Sequence, residues 1–122
     1  MSLLSNQAIE FRRAYRIPND LSRRTTQRTL IVEEFKEFLQ ADQDMALMHP
    51  QQRADCLKEL ADLIYVCAQY AENMDWDIEQ ALRRVHESNM SKLGNDGKPI
   101  YREDGKVLKG PNYQPPDLSD LV

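Results

Sequence analysis

The sequence predicts an all-α fold: a helical bundle of about four helices, completed by oligomerisation, with a turn-rich C-terminal hairpin tail. Three observations predict it. First, all four glycines (Gly94, Gly97, Gly105, Gly110) and four of the six prolines lie after Leu93, so the preceding chain is poor in helix breakers. Second, apolar residues recur through that earlier region at the spacing of helical faces. Third, the stretch from Leu60 to Ala71 is apolar nearly all round, as in a helix packed on several sides. A chain of 122 residues has few surfaces of its own to cover such a helix. The expected organisation is one domain: a helical body over residues 1–94 and a hairpin and extended tail over 95–122.

The elements follow in order. The first helix is expected over Ser5 to Arg16, with Ile9, Phe11 and Tyr15 among polar neighbours and Pro18 closing it. The second starts near Asp20 or Ser22, both good caps, and runs to about Ala41. The third begins just after Pro50 and ends near Met74. The fourth starts at Asp77, where DIEQ reads as a capping box, and ends at Gly94. In the tail, PIYREDGKVLKG alternates around Asp104-Gly105, a hairpin signal, and PNYQPPDL reads as extended.

Composition narrows the function classes. Charged residues make up 30% and apolar residues 41%, as in a soluble globular domain. A net charge of −4 offers no footprint for non-specific nucleic-acid binding. No apolar run approaches membrane-spanning length, and MSLLSNQ lacks the features of a signal peptide, so a cytoplasmic protein without a membrane partner is expected. Cys56 and Cys67 would stand roughly 16 Å apart along one helix, too far for a disulfide, and read as free thiols.

The chemistry lies in the carboxylates. On the second helix Leu30, Ile31, Val32, Phe35, Phe38 and Leu39 form an apolar arc, with Glu34 at its edge. Glu37 is one turn further on, so Glu34 and Glu37 converge, while Glu33 points away. On the third helix Glu59 and Asp62 form a second pair at the same spacing, inside an apolar segment. Burying lone carboxylates is costly. Two such pairs on adjacent antiparallel helices make sense around a hard divalent cation, Mg²⁺ or Mn²⁺. On the fourth helix the apolar face of Ile78, Ala81, Leu82 and Val85 continues into Asn89 and Lys92, groups that suit an anionic ligand.

Bland readings stand beside these. EExxE and ExxD strings are each common on solvated helix faces. Asn89 and Lys92 also suit a fraying helix end and its dipole. Arg23, Arg24 and Arg28 could face phosphate, but arginines near a helix start are more often solvated. His49 and His86 read as structural.

EEFKE followed after 21 intervening residues by ELAD, then RRVHESNMSKL and GKPIYREDGKVLKGPNYQPPDL, resembles the MazG-like and phosphoribosyl-ATP-pyrophosphohydrolase-like all-α nucleoside triphosphate pyrophosphohydrolases. The resemblance covers roughly Arg28 to Leu118. It implies that Glu34, Glu37, Glu59 and Asp62 ligate Mg²⁺ and carry catalysis, and that Asn89 and Lys92 contact the nucleotide or its phosphates. Glu33, Arg28 and Lys109 are weaker candidates. It also implies a homodimer or homotetramer. The implied reaction is attack of water at the α-phosphorus of a nucleoside triphosphate, giving the monophosphate and diphosphate. Phosphoribosyl-ATP is the alternative substrate, and a non-catalytic helical interaction protein is the rival from another class. A di-iron bundle would need ExxH pairs, and neither histidine follows a Glu by three residues.

Overall fold

A computed structural model describes residues 3–122. It contains four α-helices and, among the described residues, no strand: α1 Leu3–Ala14, α2 Arg24–Asp44, α3 Pro50–Asn73 and α4 Ile78–Met90. The expected all-α class is observed. No helix among the described residues is long and apolar enough to cross a membrane. Contacts divide the chain into two units, Met1–Ile78 and Glu79–Val122. This division falls earlier than the compositional boundary at 94/95, because the tail lies back along α4.

In the first unit, α2 and α3 pack along each other and α1 packs on α3. Capping chemistry sets the ends. Asp20 accepts a hydrogen bond from the Ser22 N–H at 2.9 Å, which opens the short turn leading into α2. That bond holds the Asp20 carboxyl below its ordinary range. Pro50 stands in the first turn of α3, where its missing N–H costs nothing. The helices α1 and α3 close alike: Ile17 N–H bonds Arg12 C=O at 2.8 Å over Arg16 at φ 54°, and Trp76 N–H bonds Ala71 C=O at 2.9 Å over Asp75 at φ 59°. Both satisfy otherwise orphaned carbonyls without a glycine.

A polar network locks α1 to α3. The buried Arg12 guanidinium donates to Gln69 Oε1 (3.2 Å), Asn73 Oδ1 (2.9 Å), Asn19 Oδ1 (2.8 Å) and the Pro18 carbonyl (2.9 Å). Asn73, also buried, exchanges two bonds with the Asp20 backbone, at 2.9 and 3.1 Å. Burial lowers the Arg12 pKa from its ordinary value, partly offset by Glu72. The buried apolar residues of this unit are small: Ala8, Cys56, Ala68 and Ala71. Larger ones stay partly open. Val32, Phe35 and Leu39 on α2, and Leu57, Leu60 and Ile64 on α3, are each at least 37% exposed. Both trios repeat at i, i+3 and i+7, so each is a stripe along one helix face. Cys56 and Cys67 are free thiols.

In the second unit the helix of α4 stops at Met90, and hydrogen-bonded turns continue to the expected end at Gly94. The tail returns along this helix. Ser88 Oγ donates to the Gln114 carbonyl at 2.7 Å, and Gln114 N–H donates to Ser91 Oγ at 3.0 Å. Arg84 donates to the Asp117 carbonyl at 3.0 Å and forms an ion pair with Asp120. Gly110 N–H bonds the Lys92 carbonyl at 2.8 Å, so closely that a Cβ there would lie 2.4 Å from the Leu93 carbonyl oxygen. The Asp104-Gly105 turn forms, with Gly105 at φ 88°, but it closes a single bridge, Tyr101 to Val107, rather than a named pair of strands. Tyr101 and Val107 remain largely exposed, and an isolated hairpin has little else to hold it.

Candidate functional site

The site is built on the α2–α3 pair. Glu34 sits near the middle of α2, and Glu59 and Asp62 near the middle of α3. The connection between the helices is short, so they run antiparallel and bring these positions opposite one another. One carboxylate oxygen from each of Glu34, Glu59 and Asp62 lies within 4.8 Å of the other two. All three residues are half-buried. Their charges repel in a partly desolvated setting. The Glu34 carboxyl is accordingly raised above its ordinary range, first by burial, then by a hydrogen bond with Glu37, then by the charges of Glu37, Asp62 and Glu59.

Two oxygens in this cluster lack partners. Glu34 Oε2 and Glu59 Oε2 are buried without a hydrogen bond. Orphaned carboxylate oxygens are costly unless something positive meets them. An all-oxygen donor set at this separation fits a hard divalent cation.

Glu37, the remaining expected ligand, lies outside the three-carboxylate group and is tied to it through Glu34. It lines a groove of about 610 Å³ together with Asp44, Gln52, Asp55, Lys58 and Glu59. Lys58 is the residue that the pattern reading missed. Its Nζ lies 2.7 Å from Asp62 Oδ2 and 3.3 Å from Glu59 Oε1, and the two carboxylates raise its pKa. A signal was available in the i, i+4 spacing of Lys58 and Asp62. Glu33 is exposed, as the helical wheel predicts, and Arg28 is also exposed.

The other candidates belong to the second unit. Asn89 is exposed in the last turn of α4, and Lys92 is half-exposed in the turn that follows. Lys109 lies over the Tyr113 ring, 4.8 Å from its centre.

A family model described as phosphoribosyl-ATP pyrophosphohydrolase matches residues 8–89, more than half of the chain and inclusive of both acidic pairs. No curated protein matches the chain. The three converging carboxylates therefore sit in a chain that belongs to the phosphoribosyl-ATP pyrophosphohydrolase family, of the MazG-like all-α nucleoside triphosphate pyrophosphohydrolase superfamily.

Proposed function

We propose that the chain is a Mg²⁺-dependent nucleoside triphosphate pyrophosphohydrolase, converting a (d)NTP to its monophosphate and diphosphate. The observation that carries this reading is the convergence of Glu34, Glu59 and Asp62 within 4.8 Å, with two buried oxygens unpartnered. Glu34, Glu59 and Asp62 would hold Mg²⁺, with Mn²⁺ as a substitute. When bound, the ion supplies charge neutralisation for the phosphates and a more acidic water.

The chain's own residues do the rest. Glu37, one turn from Glu34 yet outside the cluster, accepts the proton of the attacking water. The water oxygen bonds to the α-phosphorus, the α–β bridging bond breaks, and diphosphate leaves with the bonding electron pair. Lys58, within reach of Glu59 and Asp62, would lend its positive charge to the departing phosphates. Asn89 and Lys92 serve as further substrate contacts, as the family resemblance suggests. The exposed stripes of Val32, Phe35 and Leu39, and of Leu57, Leu60 and Ile64, support assembly into a homodimer or homotetramer.

Phosphoribosyl-ATP is the second reading, favoured by the description of the matching family. The two share a bond cleavage and differ in what is attached to the α-phosphate. Incubating the chain with Mg²⁺ and a panel of canonical nucleotides, modified nucleotides and phosphoribosyl-ATP, resolving diphosphate from phosphate, tests both. Light scattering tests the assembly, and a fully active monomer would remove it.

A further inference from the structure

Two buried amides lie on the same helix seam as the acidic cluster. Gln27 on α2 and Gln69 on α3 are each 5% exposed. Gln27 Oε1 and Gln69 Nε2 are both buried without a hydrogen-bond partner. The assignment at Gln69 is fixed chemically. Arg12 can only donate and does so to Gln69 Oε1 at 3.2 Å, so the free end of that amide is its N–H₂. A buried, unsatisfied acceptor and a buried, unsatisfied donor in one helix pair call for a ligand that offers both.

Their register points to which ligand. Gln27 precedes Glu34 by seven residues, and Gln69 follows Asp62 by seven. Seven residues return to nearly the same helix face two turns away, about 10 Å along the axis. Because α2 and α3 are antiparallel, both displacements run in the same direction from the carboxylates. The intervening turn on each helix presents Leu30 and Ile31, and Tyr65 and Val66, all half-buried. Tyr65 is braced edge-on by Phe11, with ring centres 5.7 Å apart. The seam thus reads, in order, acidic end, apolar turn, amide end. A nucleotide has the same order: phosphates that need a cation, a sugar and base face that need apolar cover, and a base edge that carries adjacent donors and acceptors.

We propose that Gln27 and Gln69 are specificity residues that read the hydrogen-bonding edge of the nucleobase, with Leu30, Ile31, Tyr65 and Val66 flanking the nucleoside. This rests on the nucleotide pyrophosphohydrolase reading of the acidic cluster. Gln27 Oε1 takes a base N–H, and Gln69 Nε2 donates to a base carbonyl or ring nitrogen. A site built this way discriminates by leaving its own polar atoms unpaired against the wrong base.

The test measures kcat/KM across bases for the parent, Gln27→Leu, Gln27→Met and Gln69→Glu. It also measures binding of the corresponding nucleoside monophosphates by calorimetry in EDTA. Gln69→Glu keeps an acceptor for Arg12 and turns the free donor into an acceptor. The parent is expected to prefer one base in both assays. Either Gln27 variant should erase about tenfold of that preference, the worth of one hydrogen bond. Gln69→Glu should re-rank the bases. The two Gln27 variants should also melt at or above the parent temperature, because an orphaned polar atom is gone. Unchanged base ratios in every folded variant would overturn the proposal, leaving the amides as structural groups satisfied by buried water. So would a parent without base preference. If no triphosphate is cleaved but monophosphates still bind with a preference that the variants erase, the catalytic reading fails and this one stands.

Discussion

Replacing Arg12 with alanine tests how the α1–α3 interface is held. The guanidinium donates four hydrogen bonds, and their loss is unequal. Gln69 Oε1 is left without a partner in a residue that is 5% exposed, at a cost of about 1–3 kcal/mol. Asn73 Oδ1 keeps the Asp20 N–H at 3.1 Å and loses little. The Pro18 carbonyl and Asn19 Oδ1 belong to exposed residues and can turn to water. Removing the buried aliphatic stem adds about 1 kcal/mol of lost packing. Relief from burying a cation offsets part of this. The net expectation is a loss of about 2–3 kcal/mol in urea unfolding, with a fall in melting temperature of roughly 10–20 °C. Arg12→Lys should recover only a minor part, since an ammonium cannot reproduce the planar fork. A change below about 0.5 kcal/mol in Arg12→Ala would refute the reasoning, because surface substitutions cost that little.

Other outcomes follow from the site and the tail. The folded-state pKa of Glu34 is raised, so the folded chain holds that proton more tightly than the unfolded chain does. In the window between the ordinary glutamate pKa and the raised one, metal-free stability should therefore fall as pH rises. Glu34→Gln should flatten that slope in thermal melts with EDTA, and a stability that rises with pH through this window by virtue of Glu34 would contradict the sign. Glu59→Ala should abolish turnover while leaving the metal-free melting temperature unchanged or higher, whereas Glu33→Ala should change kcat/KM by less than about threefold, as an exposed bystander would. If Glu33→Ala is the inactivating change and Glu34→Ala is tolerated, the helical wheel is misassigned. Gly110→Ala should break the Gly110 N–H bond to the Lys92 carbonyl, seen as faster limited proteolysis after residue 110, because a Cβ would collide with the Leu93 carbonyl.

Much of this was legible in the chain itself. Helical periodicity, Asp20 as a cap and Pro50 at a helix start located α2 and α3 within a few residues, since those signals are local. The same periodicity placed Glu34, Glu59 and Asp62 on facing surfaces and turned Glu33 outward. The Arg12 network was not legible. It joins residues 57 and 61 positions apart, and nothing local marks an arginine in a polar helix as a buried one. Gln27 and Gln69 were hidden for a related reason: nothing local distinguishes an amide that is buried and unpartnered from one that reaches solvent, even within the apolar stretch around Gln69. The large apolar residues reversed the usual error. Phe35 and Ile64 look like core by pattern, yet remain 47% exposed.

The most direct measurement is the identity of the phosphorus products. Phosphorus NMR of a nucleoside triphosphate incubated with the chain and Mg²⁺ should show nucleoside monophosphate and diphosphate in equal amounts. No reaction should occur in EDTA or with Glu59→Ala. Release of orthophosphate and nucleoside diphosphate, or cleavage that persists in EDTA, would contradict the account.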